Sequence, residues 1–259
     1  MTSLPPRRRT AEHFGRQSHA YAQSDLFARG DDLAVLVRLL DPHPEMLVLD
    51  EATGAGFTAA AVAPLVRAVV ALDIAPQMLA RTRELAAARE LPTLVPVLAD
   101  AEALPFADET FDAVTCRIAP HHFPDVRQAL REVARVLRPG GRFVVVDNLA
   151  PSDPALDRFV NSLDALRDPT HVRAYTVEEW ADLLHDAGLR PTAWEVHRKR
   201  QPVEEWLARA GVDRETAAAV HERLLGAPEA ARAHFAIEVA DGAPAAFTVE
   251  ILIARAERA

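Results

Sequence analysis

The residues best suited to chemistry lie between positions 47 and 148. Leu47-Val48-Leu49-Asp50-Glu51-Ala52-Thr53-Gly54-Ala55-Gly56 runs from an apolar, strand-like stretch into a turn with two glycines, and a helical pattern starts at once. Glycine lets the backbone approach a ligand closely, and a helix N-terminus adds free N–H groups and a positive dipole end. Asp73 closes the next apolar run, where a carboxylate can accept both hydroxyls of a ribose. Asp100, followed by Ala101, ends a third run and places a second carboxylate where an adenine amino group could donate. The set points to a nucleoside-type ligand. Gly54-Ala55-Gly56-Phe57-Thr58-Ala59 also fits the dinucleotide pattern, which keeps an NAD(P)-dependent dehydrogenase open as an alternative. A non-catalytic regulatory protein that keeps the cofactor pocket is an alternative from another class.

Two imidazoles follow the fourth apolar run, in Ala119-Pro120-His121-His122-Phe123. Histidine titrates near neutrality, so either could remove a proton from a phenol or an activated carbon acid. Either could instead cap the next helix or pack on Phe123. Asp147 and Asn148 end the fifth run, on the edge where open α/β sheets bind ligands. No metal site is expected, because adjacent histidines rarely share one ion and the chain has a single cysteine, Cys116.

These groups need elements to hold them in place. Short apolar runs at 46–50, 68–73, 94–99, 111–117 and 142–146 read as strands, with helices starting near Gly56, Pro76 and Pro124 between them. Such alternation means βαβ units and a buried parallel sheet, an α/β fold. Leu33, Leu36, Val37 and Leu40 give a helix over 24–40, ended by Pro42 and Pro44. Thr176 and Glu179 form a capping box for a helix ending at Gly188, followed by a strand at 192–197. Residues 202–235 read as two or three short helices, and Phe247, Val249, Ile251 and Ile253 share one face of a last strand over 247–254. The expected organisation is an arm over 1–23, flexible over 1–12, then one catalytic domain over 24–259. A helical insertion at about 202–240 precedes the last strand and is expected to form a lid over the acceptor pocket, since long connections inside compact domains are usually functional or disordered.

Composition narrows the class. In 259 residues, apolar types make up 49% and charged types 26%, ordinary values for a globular chain. A net charge of −9 argues against nucleic acid as a partner, since such binding rests on phosphate neutralisation. No apolar run long enough for a membrane span and no signal-peptide pattern is present, so a cytoplasmic protein with no membrane partner is expected.

Taken in order, the glycine loop, Asp73, Asp100 and the strands at 111–117 and 142–146 around Pro139-Gly140-Gly141 resemble the class I S-adenosylmethionine-dependent methyltransferases, in the broad group similar to the ubiquinone/menaquinone biosynthesis enzymes. The resemblance is strong over about 45–150 and looser beyond. It implies a Rossmann-like seven-stranded mostly parallel sheet, order 3-2-1-4-5-7-6 with the last strand antiparallel, and helices on both faces. It places Asp50, Ala52, Thr53, Gly54 and Gly56 at the methionine end of S-adenosylmethionine, Asp73 at the ribose with Ile74 and Met78 beyond it, and Asp100 and Ala101 at the adenine. Arg117 and Ala119 fall beside the sulfonium, and Phe14, Gln17, Ser18 and Tyr21 belong to a helix folded over the cofactor. His171, Arg173 and Tyr175 resemble a segment lining the acceptor pocket, while Trp180, Trp194 and Trp206 are assigned to packing. Two departures stand out. Ala52 replaces the usual first glycine, a mild change if its φ is negative, and Glu51 replaces an apolar residue and is expected to face a polar rim or pair with an arginine. The expected activity is methyl transfer to O or C of a small, ring-containing metabolite, with S-adenosylhomocysteine as product. His121 or His122 is the base, and a homodimer is left open.

Overall fold

The structure, a computed structural model, describes residues 6–23, 28 and 30–259. The expectations for residues 1–5, and for residues 24–27 and 29 within the helix read over 24–40, lie outside the described residues. The chain opens with α1 (Pro6–Ala22) and α2 (Asp31–Leu40). It then winds through β1 (Leu47–Glu51), α3 (Phe57–Val62), β2 (Ala68–Asp73), α4 (Pro76–Ala88), β3 (Leu94–Leu98), β4 (Phe111–Arg117), α5 (Val126–Val136) and β5 (Leu137–Leu149). After α6 (Pro154–Arg167) and α7 (Val177–Asp186) come β6 (Leu189–Pro202), α8 (Val203–Ala210), α9 (Arg214–Leu225), α10 (Glu229–His234), β7 (Glu238–Ala240) and β8 (Ala243–Arg258). Helix α1 begins at Pro6, so most of the stretch expected to be flexible is helical.

The sheet runs in the order β3-β2-β1-β4-β5-β8-β6, with β7 paired to the start of β8 as an added hairpin. Strands β1 to β5 pair parallel, and β8 lies antiparallel between β5 and β6. This is the expected Rossmann-like methyltransferase fold with one extra short strand. A parallel strand covered on both faces must be apolar on both, and β1 shows it: Leu49 joins the core with α5 and α7, Val48 the core with α2 and α3. Val126, Leu130 and Val133 form the buried stripe of α5, and Trp180 and Leu184 of α7 close the same layer. Each such side chain contributes about 1.5–3 kcal/mol.

The capping box forms as expected, with Thr176 Oγ1 accepting from Glu179 N–H and the Glu179 carboxylate accepting from Thr176 N–H. Helix α6 had no counterpart in the sequence reading. Its signal is Asp153-Pro154: the Asp153 carboxylate accepts from Ala155 and Leu156 N–H, with proline in the first turn. Phe159, Val160 and Leu163 of α6 then pack with Trp206, Leu224, Phe235 and Phe247 in a third core beside the sheet.

Candidate active site

Glycine, aspartate and threonine build the first cavity at the carboxyl ends of β1, β2 and β4. Asp50 leaves β1 buried, and its Oδ1 accepts from Thr115 Oγ1 at 2.7 Å while Oδ2 accepts from Thr53 Oγ1 at 2.5 Å and Ala59 N–H at 3.1 Å. The carboxylate thus ties the loop to both β4 and α3. Asp73 is used similarly: Oδ2 accepts from Gly54 N–H and Oδ1 from Ala75 N–H, each at 2.8 Å. Burial pushes both carboxyls up to about 6, against these hydrogen bonds, which favour the ionised form.

The two loop glycines do different work. Gly54 has φ +56°, and a Cβ built there meets nothing within 4 Å, so its bare backbone faces open space in the cavity. Gly56 has φ +89°, and its Cβ would come 2.8 Å from Thr82 Cγ2 of α4. Gly56 therefore seats α3 against α4 and does not line the cavity. Ala52 also has a positive φ, +50°, contrary to the negative value that would make it a mild replacement. Ile118, just past β4, has φ +53°, an outlier for a β-branched residue, at the point where the cavity wall turns.

Of the residues predicted for the cofactor, Asp50, Ala52, Thr53, Gly54, Asp73, Ile74, Met78, Asp100, Ala101, Arg117, Ala119 and Tyr21 all line this one cavity. Sequence reasoning missed Arg7, Thr10 and Glu102, and Phe14 joins them from α1. Arg7 Nε lies 2.8 Å from Asp100 Oδ2, and its Nη2 pairs with Glu102, so α1 is clasped to the loop after β3. Glu51 neither faces a polar rim nor meets an arginine. It is 1% exposed behind the loop and hydrogen-bonded to the Cys116 thiol, and among the described residues its Oε1 has no partner. Burial raises it to about 8.

A second cavity opens beyond the first and shares Tyr21, Ile118 and His122 with it. Its apolar wall is Leu149, Val160, Trp206, Val249 and Ile251, and its polar groups include His121, Asn148, Asp164, Arg167, Lys199 and Arg209. His121 N–H and Nδ1 both meet the Asp147 carboxylate, at 2.9 and 2.5 Å. His122 Nδ1 lies 3.1 Å from Thr170 Oγ1, whose own proton goes to Asp168 Oδ1 at 2.6 Å. Because that hydroxyl donates to Asp168, it accepts from His122, which puts the imidazole proton on Nδ1 and leaves Nε2 as an acceptor. Among the described residues Nε2 has no hydrogen-bond partner. Burial, reinforced by His121, lowers His122, and burial lowers His121 to about 4, so both rings are neutral at pH 7. Asp168 is also buried, but His122, once protonated in acid, and the Thr170 hydrogen bonds bring it below the usual carboxylate range.

His171, Arg173 and Tyr175 line neither cavity. His171 bonds Asn161, Arg173 bridges Asp157 and Glu179, and Tyr175 meets Trp180 edge-on. Trp180 is packing, whereas Trp206 packs and also walls the second cavity. Among the described residues no group of three or more His, Cys, Asp or Glu could hold a metal ion, and no helix is long and apolar enough to cross a membrane.

The methyltransferase-domain family model matches residues 49–145, which hold the whole glycine loop and the histidine pair. The uncharacterized methyltransferase YcgJ of Bacillus subtilis is 35% identical over 243 residues, covering 93% of this chain and 95% of that protein. Its crystal structure superposes with a TM-score of 0.86 over 88% of this chain and 98% of that one. A putative methyltransferase from Bacillus halodurans gives the same TM-score at 35% identity, over 88% and 99% of the two chains. The ubiquinone/menaquinone biosynthesis C-methyltransferase UbiE of Bradyrhizobium diazoefficiens is 36% identical over 187 residues, 62% of this chain and 74% of that protein.

Proposed function

Because the chain belongs to the class I S-adenosylmethionine-dependent methyltransferases, we propose that it transfers a methyl group to O or C of a small, ring-containing metabolite held in the second cavity. One observation carries this reading: the glycine-loop cavity and the histidine cavity meet at Tyr21, Ile118 and His122. S-adenosylmethionine fits the first. Gly54 leaves room that any Cβ would take, Asp73 offers an acceptor at the end of β2, and Asp100 with Ala101 stands one strand further on. Arg117 and Ala119 flank the boundary between the cavities. When bound, S-adenosylmethionine supplies an electrophilic methyl group with a neutral thioether as leaving group.

The chain's own residues then have three tasks. Trp206, Val249 and Ile251 hold the flat ring of the acceptor and keep water from it, which sets the orientation that in-line transfer needs. His122 removes the acceptor proton through Nε2. It is neutral at working pH, faces both cavities, and is oriented through Thr170 by Asp168, which stabilises the imidazolium formed. His121, fixed by Asp147, positions the acceptor from the second cavity alone. Helices α8 to α10, within the 202–240 insertion, form the lid, with Trp206 as its contact with the acceptor.

Titration calorimetry with S-adenosylmethionine, S-adenosylhomocysteine and NAD tests the proposal. The sulfonium and its thioether product are expected to bind at micromolar affinity and NAD not to bind. NAD binding with no response to the other two overturns it in favour of a dehydrogenase.

A further inference from the structure

The chain carries 38 acidic against 29 basic residues, and its partly buried cations generally meet a carboxylate. Arg117 lies 2.6 Å from Asp32, Lys199 3.1 Å from the same group, and Arg135 2.8 Å from Glu132. Arg167 and Arg209 do not follow that pattern. They come from the last turns of α6 and α8, both are half-buried, and both line the second cavity. Among the described residues neither has a carboxylate within ion-pair distance. Neutral groups hold them instead. Arg167 Nε donates to Trp206 O at 3.2 Å with its guanidinium carbon 4.5 Å from the indole centroid, and Arg209 Nη2 donates to Gln201 Oε1 at 2.6 Å. Burial, and then the charge of Arg167, bring Arg209 down to about 10, so the two guanidiniums sense each other. Two acids line the same cavity: Asp164, one turn before Arg167, which burial raises to about 7, and Asp168, whose Oδ1 accepts from the Thr170 N–H and hydroxyl.

Two planar cations that no described carboxylate pairs with, facing one half-dry cavity, form a receptor for a group with two or more oxygens sharing negative charge. We propose that the methyl acceptor is recognised by an oxyanion, a carboxylate or a phosphate, bound between Arg167 and Arg209, with its ring against Trp206 and its reacting atom toward His122. The proposal rests on the reading of the second cavity as the acceptor site. An anion arriving there also pushes Asp164 toward its protonated form, in which it donates a hydrogen bond and no longer repels. Lys199 is held by Asp32 and takes no part.

The test uses the full chain with and without S-adenosylhomocysteine, titrated with benzoate, phenyl phosphate and the neutral isostere benzamide. At least one anion is expected to bind about tenfold or more tighter than benzamide, a difference of ~1.4 kcal/mol, and the tighter of the two identifies the oxyanion. Arg209→Gln and Arg167→Gln are expected to abolish that preference with S-adenosylhomocysteine affinity unchanged. Asp164→Asn is expected to strengthen it several-fold, an opposite sign that disturbed packing would not give. Equal binding of all three probes, no binding of any, or a preference that survives in both arginine variants overturns the proposal. If S-adenosylhomocysteine fails to bind while the anion preference is present, the methyltransferase reading of the first cavity falls and the anion site stands.

Discussion

The cavity around the glycine loop and the cavity beyond His122 share three side chains, yet their polar groups are supplied in opposite ways. In the first, Asp50 and Asp73 spend their oxygens on Thr53, Gly54, Ala59 and Ala75, all within one βαβ unit, with Thr115 of β4 as the one distant partner. Three of these five donors are backbone N–H groups, of Gly54, Ala59 and Ala75, which mutation does not remove, so much of this half is fixed by the backbone. In the second, the polar residues arrive from α1, the turn after β4, β5, α6 and the residue after it, β6 and α8. That half can be altered one residue at a time. The difference matches the proposed roles, the first cavity for the cofactor and the second for the acceptor.

The largest expected effect separates the halves directly. His122→Ala is expected to lower turnover by about a hundredfold or more with cofactor affinity within a few-fold, as loss of a general base should. Asp73→Ala is expected to weaken S-adenosylmethionine by about 2–4 kcal/mol, leaving acceptor binding alone. Calorimetry beside single-turnover kinetics reads both. If the two variants fail in the same way, the division between a cofactor half and an acceptor half is lost.

A smaller effect concerns Glu51, hidden behind the cofactor half. Its folded value of about 8 stands above the ordinary 4.5, so its contribution to stability is full below about 4.5 and is lost as pH rises through about 8. Glu51→Gln is therefore expected to match the parent in denaturant unfolding near the acid end of that window. Above about pH 8 it should be more stable, by an amount on the order of a few kcal/mol. Equal stability at both ends would mean that Glu51 ionises freely in the folded chain. Smallest is Ala52→Gly, which relieves a left-handed alanine and should stabilise by about 0.5–1 kcal/mol, net of the entropy glycine adds to the unfolded chain. A loss of stability would show that the loop does not need φ +50° there.

The same contrast explains what could be read from the sequence. The sheet order, the capping box at Thr176 and the placing of Asp50 and Asp73 at the ends of their strands were legible because each is encoded by neighbours in sequence: an apolar run, a turn, a helix start. The split between Gly54 and Gly56 was not, because it depends on Thr82 packing against one of them. The hydrogen bonding of His122 was hidden for a similar reason. It is made by Thr170 and Asp168, which tertiary folding brings across from the end of α6. Glu51 misled because a carboxylate in a glycine loop suggests solvent, while the pleat of β1 turns that side chain inward, opposite to Asp50. Arg7 could not be placed at all, since its partners Asp100 and Glu102 lie more than ninety residues away.

The common wall of the two cavities is Tyr21, Ile118 and His122. A molecule pressing on it from one side therefore sets the positions met by a molecule on the other. Such an arrangement makes the two occupants heterotropic effectors of each other, and thermodynamic linkage requires the influence to be equal in both directions. The factor by which the nucleoside changes the acceptor's dissociation constant is then the factor by which the acceptor changes the nucleoside's.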